Sequence, residues 1–167
     1  WVNFGRTQVH LPSRGARPRP EVLRGTAGFV VPDLGALKAN LEFAGKEMKR
    51  VVPERSTRFS WQDKGDAVEA TCPWGNRFRC YAPAPEFGDV TLGIGRFEVP
   101  VRPGTAPGIA RFYKEIFNAP SVVNGNGDAK AARVKIGQLH QELVFRETAG
   151  DIAPYDGHHI AVYIADF

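Results

Sequence analysis

The segment DGHHIAVYIADF, residues 156–167, sets two imidazoles side by side, His158 and His159, at the head of an alternating run. Successive side chains of an extended chain point to opposite faces, so at most one of the two serves a site on a given face. A neutral imidazole ligates a divalent metal or moves a proton near neutral pH, and either task needs partners. QLHQELVF also alternates, with His140, Glu142 and Val144 on one face and Leu139, Gln141, Leu143 and Phe145 on the other. In GRFEVPV, Arg96 and Glu98 stand opposite Phe97 and Val99. Glutamate in a cleft supplies an oxygen ligand or a general base, and an arginine such as Arg96, or Arg79 in RFRCYA, supplies a fork for an anion. Each residue also has a plain structural reading. Glu142 and His159 are then hydrogen-bonded cleft residues, His158 and His10 structural, His140 exposed or orienting, Trp74 packing, and Phe112 and Tyr113 core.

The elements that would position these groups come from an internal repeat. GTAGFVVP from Gly25 and GIGRFEVP from Gly93 share Gly, Phe, Val and Pro at four offsets, a shift of 68 residues (93 − 25). VNFGRTQVHL from Val2 and VKIGQLHQEL from Val134 share Val, Gly and Leu, shifted by 132 (134 − 2), near twice the first period. Apolar residues at 109, 112, 113 and 116 mark a helix after the second repeat, and DLGALKANLEFAGKEM follows the first. TRFSWQ, DAVEATC and RFRCYA alternate as strands, the last two joined by a PWGN turn. The chain divides into a module tail and linker over 1–24, modules over 25–90 and 91–155, and the first strand of a following module over 156–167. The fold class is α+β, with curled mixed sheets. The two glycine-led strands should be equivalent under a pseudo-twofold, and VNGNGD is expected to be a mobile loop. Tail and head leave strand edges that lie together or pair with a second copy, giving a homodimer.

Composition narrows the field. In 167 residues, 43% are hydrophobic and 24% charged, which suits a globular chain with a real core. No run of eighteen apolar residues is present, so no membrane-spanning helix is expected. The net charge is +4, and the cluster Arg14, Arg17, Arg19 and Arg24 lacks the interleaved aromatics of a nucleic-acid arm. Cys72 and Cys80 would face Arg77 and Glu69 across their hairpin rather than each other, so free thiols and a reducing, cytoplasmic setting follow. A start at Trp1 and an end inside a strand read as cuts in a longer chain.

Strand–helix–three-strand modules of this kind resemble the vicinal oxygen chelate superfamily, which includes glyoxalase I, the bleomycin- and fosfomycin-resistance proteins and extradiol dioxygenases. FYKEIF, VKIGQLHQELVFRE, DGHHIAVYIADF and CPWGNRFRCYA carry the resemblance. In the last of these, Cys72 replaces the acid of an acidic-Pro-x-Gly-Asn turn. The resemblance implies repeated βαβββ modules curled into a half-barrel cleft. It also implies metal ligands on the first and late strands, with Glu142 matching the late-strand carboxylate and His159 the first-strand histidine. A divalent ion (Fe, Mn, Zn or Ni) would chelate a small substrate with vicinal oxygens for lyase, isomerase or dioxygenase chemistry, with Glu98 as third ligand or base. The sequence departs from that pattern at Arg96 and at His10, Thr26 and Arg79, where ligands are expected. Arg96, Arg79 and His10 suit an anionic ligand instead. The alternative is therefore a metal-free binding or sequestration protein of the bleomycin-resistance type.

Overall fold

The computed structural model describes residues 2–10, 22–137, 140–155, 157 and 159–161. A hairpin of β1 (Val2–Phe4) and β2 (Thr7–Val9) comes first, turned at Gly5. It docks by its own side chains: the Thr7 hydroxyl accepts from the Ile94 amide at 3.0 Å, and Phe4 packs on Phe29 with ring centroids 4.7 Å apart.

Two βαβββ modules follow. The first is β3 (Thr26–Val30), α1 (Leu34–Val51), a single turn α2 (Pro53–Ser56), β4 (Ser60–Asp63), β5 (Ala67–Thr71) and β6 (Arg77–Tyr81). The second is β7 (Gly93–Val101), α3 (Ala106–Phe117), β8 (Ser121–Asn124), β9 (Ala131–Ile136) and β10 (Gln141–Glu147). Asp33 starts α1 by accepting from the amides of Gly35 and Ala36 at 2.7 and 3.0 Å. Thr105 makes no such side-chain bond at the head of α3. There Glu147 of β10 accepts from the Ala106 amide at 2.9 Å.

All eight module strands form one open mixed sheet, ordered β4-β5-β6-β3-β7-β10-β9-β8. The order is the same read from either end, module by module, so a pseudo-twofold runs through the antiparallel β3–β7 seam. The repeat shift locates it. Gly28 and Arg96, equivalent by the 68-residue shift, are also direct partners across the seam, so the axis passes between them. A register shift after Gly28 then breaks the symmetry, pairing Phe29 with Ile94 and Val30 with Gly93.

Alternation sorts the sheet into two faces. One buries Ala27, Phe97, Val134 and Leu143 with Phe78, Tyr113 and Phe145, and continues through Val68 and Cys80 to Leu37 and Leu41 of α1. Both helices cover that face. The other carries the charged residues.

Three local expectations change. The hairpin register is one residue off: Thr71, not Cys72, faces Arg77, and Val68 faces Cys80. The cause is a three-residue loop closed by Cys72 N–H to Asn76 O at 2.9 Å, with Gly75 at φ +100. Both thiols are free. VNGNGD is partly ordered, since its first two residues end β8 and Gly127–Ala129 form a 3-10 turn. In the head segment, residues 159–161 are not in a strand, while His158 and residues 162–167 lie outside the described residues. No helix among the described residues is long and apolar enough to cross a membrane.

Candidate ligand cleft

The polar face of the sheet is organised by one transverse row. Reading partner to partner from β4 to β9, it runs Gln62, Glu69, Arg79, Gly28, Arg96, Glu142, Lys135. The pseudo-twofold exchanges Glu69 with Lys135 and Arg79 with Glu142, so each half carries a cross-strand ion pair of opposite polarity. Between the two arginines stands a glycine. The row therefore lacks a side chain at Gly28, between the two arginines. A Cβ at Gly28 would lie 2.7 Å from Arg96 Cγ and 3.3 Å from Tyr81 Cε2, so the Arg96 stem and the Tyr81 ring close over this position and depend on its being glycine.

Beside Gly28 is a cavity of about 560 Å³, lined among others by Arg79, Tyr81, Glu86, Phe87, Arg96 and Glu98. Its floor is aromatic. The guanidinium carbons of Arg79 and Arg96 lie 5.6 and 5.3 Å from the Tyr81 ring centre, within cation–π range. Arg96 also lies 5.3 Å from the buried ring of Phe87. Burial pushes the Tyr81 phenol above its ordinary value, an effect the nearby charges of Arg96 and Arg79 oppose.

The lining arginines differ in how far their donors are engaged. Arg146 gives both prongs to Glu98, Nε to Oε1 and Nη2 to Oε2, each at 2.8 Å. Arg79 has only long contacts, 3.5 Å to Glu69 and 3.6 Å to Asp66. Arg96 gives one prong to Glu86 at 3.1 Å and stands 3.8 Å from Glu142. The Nε–H groups of Arg79 and Arg96 are buried and have no acceptor among the described residues. A buried unpaired donor costs about 1–3 kcal/mol, and these two are closed off from solvent, which leaves the Nη–H groups to meet an incoming acceptor.

Glu142 adjoins the cleft, its side chain 8% exposed. Lys135 reaches one oxygen at 2.8 Å, and Arg133 binds the other in a close ion pair. Burial raises its carboxyl pKa, but the hydrogen bonds and charges of Lys135 and Arg133 outweigh that and hold it below the ordinary value. A divalent cation does not fit this setting. Both oxygens are engaged, and three cationic side chains surround them. Among the described residues no three His, Cys, Asp or Glu side chains gather as a metal cage requires.

Of the residues singled out from sequence, Arg79, Arg96 and Glu98 line the cleft together, and Glu142 joins them through Arg96. His10 and His159 are exposed and are not among its lining residues, the His159 ring lying 3.4 Å from Gly157 O. Tyr81 and Arg146 were not singled out, yet they follow Arg79 and Glu142 by two and four residues on the same strand faces. Glu86 sits on a 3-10 turn, Pro85–Phe87, where no strand pattern points to it.

No family model matches the chain, and no curated protein matches it either. Among solved structures it is similar to a putative dioxygenase from Bacillus subtilis, at 20% identity and a TM-score of 0.43 over 76% of this chain and 41% of that one. It is also similar to the 2,2',3-trihydroxybiphenyl 1,2-dioxygenase of Sphingomonas wittichii, at 13% identity and a TM-score of 0.47, over 78% and 42%. A third is the methylmalonyl-CoA epimerase of Mycobacterium tuberculosis, at 13% identity and a TM-score of 0.40, over 81% and 97%. The chain thus spans about two fifths of the length of each dioxygenase. The likeness is one of fold.

Proposed function

We propose that residues 25–155 form a small-molecule-binding unit of the vicinal oxygen chelate type, whose cleft takes an acidic ligand across Arg79 and Arg96 without a metal. The observation that carries this reading is a pair of incompletely paired arginines, one from each module, that line one cavity over one aromatic ring. An anion in that cavity meets their Nη–H groups, and a planar body lies against Tyr81. The metal-dependent reading, with Glu142 and His159 as ligands and Glu98 as base, asks Glu142 to leave Lys135 and Arg133, and Glu98 to leave Arg146. The same proposal places the protein in a reducing cytoplasm with free Cys72 and Cys80, and pairs two copies through exposed strand edges.

Isothermal titration of the chain with benzoate, and with neutral benzamide as control, tests the binding role. A charge-assisted hydrogen bond contributes about 1.5–3 kcal/mol, so Arg96→Gln and Arg79→Gln should each weaken benzoate about tenfold or more and leave benzamide unchanged. Equal affinity for both compounds, or benzoate binding indifferent to both substitutions, contradicts it.

A further inference from the structure

Glu86 already holds the place that an acid would take. Its carboxylate is 3.1 Å from Arg96 Nη2 in the lining of the cleft, and its side chain is 56% exposed while that of Arg96 is 18% exposed. The backbone beneath it is fixed. Phe87, the next residue, is 2% exposed and packs on Tyr81 with centroids 5.2 Å apart. Gly95 of β7 leaves room for that ring, since a Cβ there would be 2.7 Å from Phe87 Cδ1. The Gly88 amide closes the turn onto Pro85 O at 3.1 Å. An anchored turn carrying one solvent-facing carboxylate lets Glu86 swing away by side-chain rotation alone.

The other acids near Arg96 and Arg79 are placed differently. Glu142 is buried between Lys135 and Arg133, and Glu98 is bound in two places to Arg146. Asp66 and Glu69 reach only Arg79, and only at 3.6 and 3.5 Å. Among the described residues Glu86 alone combines a short bond to Arg96 with access to water.

We infer that Glu86 is an internal placeholder: its carboxylate occupies the Arg96 fork in the free protein, and a ligand carboxylate displaces it. The inference rests on the proposed acid-binding role and makes it more specific. It names the ligand group as a carboxylate, the group Glu86 itself presents, and makes Glu86 the residue that sets the threshold affinity. Acids with one accessible carboxylate on a flat body fit the exchange, because the leaving side chain vacates one prong beside Tyr81.

The test compares the full chain with Glu86→Gln, titrating benzoate and 2-naphthoate by calorimetry, with benzamide as the uncharged control. An exposed ion pair of this kind contributes about 0.2–1 kcal/mol, so removing the competitor should tighten both acids by about 1.4- to fivefold and leave benzamide unchanged. Glu69→Gln, on the Arg79 side, should tighten them less. Unchanged or weaker acid binding in Glu86→Gln, with binding still dependent on Arg96, overturns the placeholder and leaves the acid-binding role standing. Acid binding absent from the native chain and from Glu86→Gln alike overturns both.

Discussion

Glu142 has two cationic partners on an 8% exposed side chain, and its carboxyl lies below the ordinary value. A carboxyl depressed in the folded state contributes stability above its unfolded pKa of about 4.3, and that contribution is lost as pH falls through the folded value. Thermal melts should therefore be level near pH 5–7 and fall in acid. Glu142→Gln should flatten the acid limb and cost about 1–3 kcal/mol at neutral pH, read by urea titration. An unchanged acid limb would show that Glu142 is not one of the groups responsible. Strand alternation put Glu142, Arg96 and Glu98 on the cleft face, and they lie there. What alternation does not carry is which cations stand opposite: Lys135 and Arg133 come from β9, and that register appears only once the hairpin is folded. For the same reason Gly28 could be matched to Arg96 by the repeat, yet its position facing Arg96 could not be read.

At the scale of elements, β10 does more than line the cleft. Glu147 at its end caps α3, replacing the hydrogen bond Thr105 does not make. The amides of Gly104 and Ala106 hold this carboxyl below its ordinary value. Glu147→Ala should free the first turn of α3, so amide exchange at Ala106, Gly108 and Ile109 should quicken while the β7–β10 ladder stays protected, as hydrogen-exchange mass spectrometry can resolve. Exchange unchanged at those amides would remove Glu147 from the role of cap. The helices and most strands were legible because their periodicity is strong, but of the apolar face read in α3 only Ile109 and Tyr113 pack on the core, and Phe112, expected there, is 49% exposed, as Ile116 is at 64%. The hairpin register was not, because a three-residue loop and a four-residue turn read alike in PWGN until Cys72 is seen bonded to Asn76. A cap supplied from a distant strand leaves no local signature at all.

The eight-stranded sheet is two modules joined edge to edge, and their shared core decides whether they act as one. Ala27 and Phe97 meet across the seam in a cluster with Val134 and Leu143. Phe97→Ala should cost about 3–5 kcal/mol and shift one calorimetric transition rather than split it, because the ring supports both modules. Two separable transitions would mean that the modules fold independently. The 68-residue repeat made the equivalence of the two glycine-led strands legible, but not that they pair with each other, nor the inverted polarity of the two halves, because both lie in cross-strand partners. The proposed ligand would lie beside that seam, against Arg96. A crystal structure grown with both 2-naphthoate and Mn²⁺ tests this most directly. The account predicts naphthoate density in the cleft lined by Arg79, Tyr81 and Arg96, its carboxylate on Arg96 with Glu86 turned away, and no manganese at Glu142. An anomalous manganese peak shared by Glu142 and His159, with that cleft empty, would contradict it.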